Sequence, residues 1–263
     1  MSDKIRLGGM ALSNGVLVHG PTSWACAVRT DDGKVKVAAE RKRLVASTVR
    51  NPLLRGPARI VEAFAFLPRM KKVLPEAKLP FGRPRVLGAM AASAVVVQGV
   101  RRTTVAPAAK ELVSALLSLA PAMLALRDGT LAAYHGAEHI AIGSYEHDER
   151  RAKEHERCGS HLVGPLLATS AAGNALASVA PARLRSPARA AAAVGALAAS
   201  TEIFAWMQRN PDHPLAHALA RPGHELQHRL ATAEPTAEQL EVAEAALRAC
   251  LELEQQDGAD RTA

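Results

Sequence analysis

Beyond residue 85 the chain has four apolar segments without Asp, Glu, Lys or Arg: Val86 to Val100, Leu112 to Leu126, Leu162 to Ala182 and Ala190 to Thr201, which are 15, 15, 21 and 12 residues long. They constrain the fold more than any other feature. Alanine supplies much of their apolar content, and aromatics make up only 3% of the chain. Alanine-rich, aromatic-poor segments favour helix over strand. Only the third reaches the length of about 20 residues that a bilayer crossing needs. From hydropathy alone, a buried helical core and membrane insertion compete evenly. Flanking charge does not decide it, because Arg101-Arg102 and Arg183, Arg185 and Arg189 would fall outside in a four-span arrangement with a cytoplasmic N-terminus.

Before these stretches lies the part that reads as β. Val16-Leu17-Val18 follows Gly15, Ala25 to Thr30 leads into Asp31-Asp32-Gly33, and Val35-Lys36-Val37 alternates apolar and charged residues. That is the signature of a hairpin, with two or three short strands. Residues 52–75 predict a helix, with Ile60, Val61, Phe64, Phe66 and Leu67 on an apolar face and Arg55, Arg59 and Arg69 off it. Such a basic amphipathic segment also suits a helix lying at a membrane surface. Glu234 to Gln255 predicts a polar amphipathic helix, opened by Thr236 and Gln239 as a capping box and lined by Leu240, Ala243, Leu247 and Leu251. The expected fold is therefore mainly α: about four short Ala-rich helices, a small N-terminal β-hairpin module and a C-terminal amphipathic helix. The expected divisions are a basic N-terminal module over 1–82, a helical region over 83–209, an acidic helical segment over 210–256 and a disordered tail over 257–263.

The net charge of +8 is unevenly placed. Met1 to Arg85 holds 17 Lys and Arg against 6 Asp and Glu, while the chain from Asn210 onward is net acidic. The basic part has few aromatics to stack on bases and no recognition motif, so nucleic acid is not the expected partner. A basic block beside apolar helices fits an anionic bilayer surface better, the plainer alternative being a solvated basic face. Three widely spaced cysteines, Cys26, Cys158 and Cys250, make no disulfide framework and fit a reducing compartment. No apolar signal core follows the first residues, so no cleavable leader is expected.

Chemistry concentrates in Tyr134-His135-Gly136-Ala137-Glu138-His139. Two histidines four apart share one helix face, one turn apart, which is the spacing of zinc-binding helices. Glu138 between them is a candidate general base or a further ligand. About twenty residues on, His155-Glu156-Arg157-Cys158 adds another imidazole and a thiol. Imidazoles with a thiolate suit zinc or another transition metal, giving the expected ligand set His135, His139, His155 and Cys158. The plain alternative is a polar connector whose His and Glu side chains are only solvated. His224-Glu225-Leu226-Gln227-His228 matches the metalloprotease helix H-E-x-x-H, but Pro222-Gly223 before it and Pro235 after it leave little room for a helix. There is neither a phosphate-cradling glycine loop nor a G-x-S-x-G elbow.

The motifs together resemble those of the bacterial family called domain of unknown function 1385 (the YqhQ-like proteins). Gly8-Gly9-Met10-Ala11 through Asn14-Gly15-Val16 to Gly20-Pro21 is similar to that family's opening. Pro52-Leu53-Leu54-Arg55-Gly56 with Val61-Glu62 resembles its P-F-L-R-G…V-E segment. Tyr134 to His139 reproduces Y-H-G-A-E-H, and His155 to Ser160 resembles H-x-R-C-G-[TS]. Pro222-Gly223, Leu226-Gln227, Glu234-Pro235 and Gln239 to Ala243 follow its closing pattern. Met10 and Asn14 stand where the family carries Gln and Glu. At His224, Glu225 and His228 the family pattern is apolar or variable, which makes the H-E-x-x-H match accidental.

The resemblance implies an integral protein of the bacterial cytoplasmic membrane, with about four spans and with its polar motifs facing the cytoplasm. The expectation that follows is a metal-dependent membrane protein holding a divalent metal, zinc first. It would be a hydrolase with Glu138 as its catalytic base, and its partners the lipid bilayer and other membrane proteins. The alternative is a non-enzymatic factor for membrane-protein biogenesis or scaffolding, in which the metal is structural.

Overall fold

The computed structural model describes residues 4–43, 46–105, 107–126 and 129–262. In chain order the elements are strands β1 (Gly8–Leu12), β2 (Gly15–His19), β3 (Ser23–Arg29) and β4 (Val35–Arg41), then helices α1 (Pro52–Ala65), α2 (Leu67–Val73), α3 (Pro84–Arg102), α4 (Pro107–Leu126), α5 (Thr130–His147), α6 (Val163–Ser178), α7 (Arg185–Arg209), α8 (Pro214–Leu226) and α9 (Ala237–Thr262). The chain is mainly helical, with an N-terminal four-stranded antiparallel sheet. It divides into two units, one of Met1–Lys42, Pro68–His155 and Leu230–Ala263, the other of Arg43–Leu67 and Glu156–Arg229.

In the first unit the hairpin expected at Asp31-Asp32-Gly33 joins β3 to β4, Arg29 pairing with Val35 and Ser23 with Arg41. Gly33 takes φ 83°, a left-handed conformation that a side chain would strain. The sheet has one more hairpin than the sequence reading of two or three strands. Residues Gly8–Leu12 form β1 and pair with β2 across the tight turn Ser13-Asn14. The Asn14 side chain holds that turn, donating to the carbonyls of Arg29 and Glu76 at 3.1 Å each and accepting the Lys78 amide at 2.9 Å. Two adjacent glycines hide β1 from propensity reasoning, because glycine is a weak strand former.

The strand order is β1-β2-β3-β4. Val16 and Val18 on β2 sit opposite Ala27 and Ala25 on β3, so all four share one face. That face packs with Val242, Ala243, Ala246, Leu247 and Cys250 of α9 and with Tyr134, Ala137, Ala141 and Ile142 of α5. The α9 positions recur with helical spacing, and their small size lets the helix lie close to the sheet. The capping box forms as expected. The Thr236 amide donates to Gln239 Oε1 at 2.9 Å, and the Gln239 amide to Thr236 Oγ1 at 3.3 Å. At the other end Glu254, buried, accepts from the Thr22 and Ser23 amides at 2.8 and 2.7 Å and from both hydroxyls. The helix runs on through 257–262, the stretch expected to be a disordered tail; Ala263 lies outside the described residues.

In the second unit α6 packs along α7, and α1 packs against α7 as well. The Arg55 side chain makes a bidentate pair with Glu202, and Gly56 lies where any Cβ would run into the Thr201 side chain. Among the described residues, one helical stretch, Ala182–Arg209, is long and apolar enough to cross a membrane.

Candidate metal centre

Helix α5 starts at Gly129, whose φ is 75°, and stops at Asp148, the one non-glycine residue with a left-handed φ (57°) among those described. Between them, Leu131 to Gly143 is buried except for half-buried His135. A helix enclosed on nearly every side shows no amphipathic stripe, so its polar residues stand out as features the core must accommodate.

The four-residue spacing places His135 and His139 on one face with ring centroids 4.3 Å apart. His135 Nδ1 lies 2.8 Å from the Ala231 carbonyl oxygen, and His139 Nδ1 lies 2.6 Å from that of Lys153. A carbonyl oxygen only accepts, so both Nδ1 atoms carry the proton and donate. The opposite nitrogens converge on one carboxylate: Glu138 Oε2 lies 3.8 Å from His135 Nε2 and 3.9 Å from His139 Nε2. The Glu138 and His139 side chains are 8% and 2% exposed. Two ring nitrogens and a carboxylate oxygen therefore face one another, with His139 and Glu138 buried and His135 half-buried. A proton or a metal cation among them would be held by all three. The Nδ1–H to carbonyl bonds are the outer-shell contacts that orient metal-binding imidazoles.

Distant parts of the first unit hold this geometry. A Cβ at Gly9 would fall 2.5 Å from Glu138 Cδ, so β1 can pass the carboxylate only because residue 9 has no side chain. Gly136 does the same for Leu230–Ala233, because a Cβ there would run into the Ala233 carbonyl. The Ala233 amide donates to the Ala132 carbonyl at 2.9 Å, which fixes the segment that supplies the Ala231 oxygen to His135. Tyr134 is buried among sheet and α9 residues; burial pushes its phenol up, and the Arg29 guanidinium works the other way.

The loop after α5 brings His155 to within 5.5 Å of the His139 ring, centroid to centroid. Its Nε2, however, faces Glu146 Oε2 at 3.2 Å. Cys158 comes three residues later, at the start of the second unit, half-buried, with its sulfur accepting the Ser160 amide at 3.5 Å. Burial pushes this thiol up, and the bond from the Ser160 amide opposes the shift. His135, His139 and Cys158 make a group that could hold a metal ion; His155 is not part of it. The H-E-x-x-H residues form no such group among the described residues. α8 ends at Leu226 and passes into a π-helical turn over Gln227–Ala231. His224 and His228 are exposed with ring centroids 6.3 Å apart, and Glu225 pairs with Arg229 at 2.8 Å.

Fold and site together define a mainly helical protein with a candidate metal site built on one buried helix. Residues 129–253, from the turn before α5 into α9, match the family described as Protein of unknown function (DUF1385). No curated protein and no solved structure matches the chain.

The sequence reading named both α5 histidines, Glu138, His155 and Cys158 as candidates. It missed Gly9, Gly136 and the carbonyls of Lys153 and Ala231. Glycines inside motifs were the available signal for the first two; backbone acceptors leave none in the sequence.

Proposed function

We propose that this chain is a membrane-associated, metal-dependent hydrolase whose metal is held by His135, His139 and Cys158. The observation that carries the reading is the convergence of His135 Nε2 and His139 Nε2 on Glu138 Oε2, with both Nδ1 protons committed to carbonyls. Cys158 is within reach on chain length alone, since three residues span at most about 11 Å from His155. Two imidazoles and a thiolate suit zinc. Three protein donors are the count of catalytic zinc sites, whereas structural sites use four. A bound divalent metal would supply Lewis acidity to a polarised substrate bond. Glu138 Oε2, beside both rings, is placed to take and return a proton there. The apolar stretch Ala182–Arg209 supports a bilayer as the setting. The four spans and the cytoplasmic orientation rest on the family resemblance.

Elemental analysis of the purified chain tests the core of this reading. About one metal ion per chain is expected, falling to background in the double variant His135→Ala/His139→Ala. Equally low metal in both proteins would rule the centre out.

A further inference from the structure

Gln227 is the only buried side-chain amide among the described residues, and it is 0% exposed. An amide is costly to bury unless its protons meet acceptors. Its Nε2 donates to Ser160 Oγ at 2.7 Å and lies 3.4 Å from His161 Nδ1. An amide nitrogen carries two protons, one for each of these acceptors. Both partners sit in the short 3₁₀ turn Gly159–Leu162, and Cys158 is the residue that caps it. The Cys158 carbonyl accepts the His161 amide at 3.1 Å, and the Cys158 sulfur accepts the Ser160 amide. Gln227 therefore holds, by its hydroxyl, the residue whose backbone N–H is aimed at the Cys158 sulfur.

Helix α8 backs this hold. Four residues before Gln227, and so on the same side of the helix, Gly223 lies where a Cβ would fall 2.5 Å from the Ser160 carbonyl oxygen and 2.7 Å from His161 Cα. One turn earlier the Leu219 carbonyl oxygen lies 2.2 Å from where a Cβ on Gly164 would stand. Backbone thus lies against backbone at both glycines, and Gln227 continues that side of the helix to the capped turn. All of these contacts lie within the second unit. Gln227 also opens the π-helical turn Gln227–Ala231. Such turns are rare and frequently mark functional sites. At its far end, within the first unit, the Ala231 carbonyl accepts the His135 Nδ1 proton. One five-residue element thus stands behind two of the three candidate ligands.

We propose that Gln227 is a positioning residue for Cys158. By holding Ser160 it keeps an N–H directed at the sulfur, and so sets the orientation and donor strength of the thiolate offered to a metal. This rests on the metal-centre reading proposed above. A role in packing alone would be met by an apolar side chain of similar length, such as methionine, with no amide to satisfy.

The test compares Gln227→Met, Ser160→Ala and Ser160→Thr in the full chain, with cobalt as the probe. Chelator competition reads affinity, and absorption reads the thiolate-to-cobalt band. Gln227→Met and Ser160→Ala should each weaken cobalt binding about 10–100-fold at unchanged stoichiometry. In both, the band should move to longer wavelength, because loss of an N–H donor raises the energy of the sulfur electrons. Ser160→Thr keeps the hydroxyl and should retain wild-type affinity and band position. The double variant Gln227→Met/Ser160→Ala should be no worse than either single change, since both break one contact. Ser160→Ala, a lighter change on a half-buried residue, keeps the test decisive where Gln227→Met fails to fold. Wild-type affinity and spectrum in the folded variants, even with a lowered melting temperature, overturns the proposal and leaves Gln227 a packing role. Failure of the metal reading shows separately, as wild-type chain that takes up no cobalt. The positioning is then read on the thiol itself. At one fixed pH, iodoacetamide should alkylate Cys158 several-fold faster in Gln227→Met and Ser160→Ala than in wild type, with Cys158→Ala as the background for buried Cys26 and Cys250. Equal rates overturn the proposal there too.

Discussion

Gly9 lies directly against the carboxylate of Glu138, so closely that a Cβ at residue 9 would fall 2.5 Å from Glu138 Cδ. The first strand of the sheet thus sets where the one carboxylate beside both α5 imidazoles can sit. Gly9→Ala should push that carboxylate from its place while leaving His135, His139 and Cys158 intact. Metal affinity should fall about 10–100-fold, the size of effect seen when outer-shell partners of ligands are removed. Competition against a chromophoric chelator measures it. Unchanged affinity would mean that Glu138 plays no part in holding or orienting the site.

Gly136→Ala should be more damaging to folding. The Ala233 carbonyl there is backbone, held by the Ala233 amide bond to the Ala132 carbonyl, so it yields less readily than a side chain. Destabilisation of about 1–3 kcal/mol is expected from overpacking. At Gly143 the nearest obstacle to a Cβ is the Arg151 side chain at 3.2 Å, on a half-buried loop residue. Gly143→Ala should therefore lower the melting temperature less than Gly136→Ala, which a thermal melt of the two variants decides.

These contacts mark what the sequence could and could not disclose. Asp31-Asp32-Gly33, the Thr236/Gln239 box and the His135/His139 spacing are local codes, each written within five residues, and each formed. Strand β1 was hidden because Gly8 and Gly9 are chosen for what passes beside them, not for strand propensity. The Ala231 oxygen meets His135 across 96 residues of chain, and a backbone acceptor can come from any residue type. Helix α9 looked like a polar surface element with Leu240, Ala243, Leu247 and Leu251 inward. Its buried side is instead Val242, Ala243, Ala246, Leu247 and Cys250, because small side chains let a helix approach a sheet that large ones would hold off.

Stability should decline in alkali. Burial pushes the Cys26 thiol from its ordinary value near 9 up to about 12, and the Cys250 thiol up to about 11. The folded state keeps both protons after the unfolded chain has released them. Their contribution is therefore complete below pH 9 and is lost as pH rises through 11 and 12. Each group costs up to about 1.4 kcal/mol per pH unit inside its window. Urea unfolding midpoints measured between pH 8 and 11 should fall, and should fall less steeply in Cys250→Ala. A slope identical in that variant would refute the assignment.

The last prediction separates ligands from residues that only position them. His155 Nε2 faces Glu146 Oε2 at 3.2 Å, and the group able to hold a metal is His135, His139 and Cys158. On the three-donor reading, Cys158→Ala should lower metal affinity as severely as His139→Ala. His155→Ala and Glu146→Gln should each weaken it about tenfold at the least, through the shared His155–Glu146 pair, while stoichiometry stays near one per chain. The two effects should not add in the double variant, because each change breaks the same contact. Substituting cobalt gives an independent readout, since the thiolate-to-metal band should vanish in Cys158→Ala and persist in His155→Ala. If His155→Ala removes metal as completely as His139→Ala while Glu146→Gln does not, His155 is a fourth ligand. The centre is then closed by four protein donors, the arrangement of a structural site, and Glu138 is not a catalytic base.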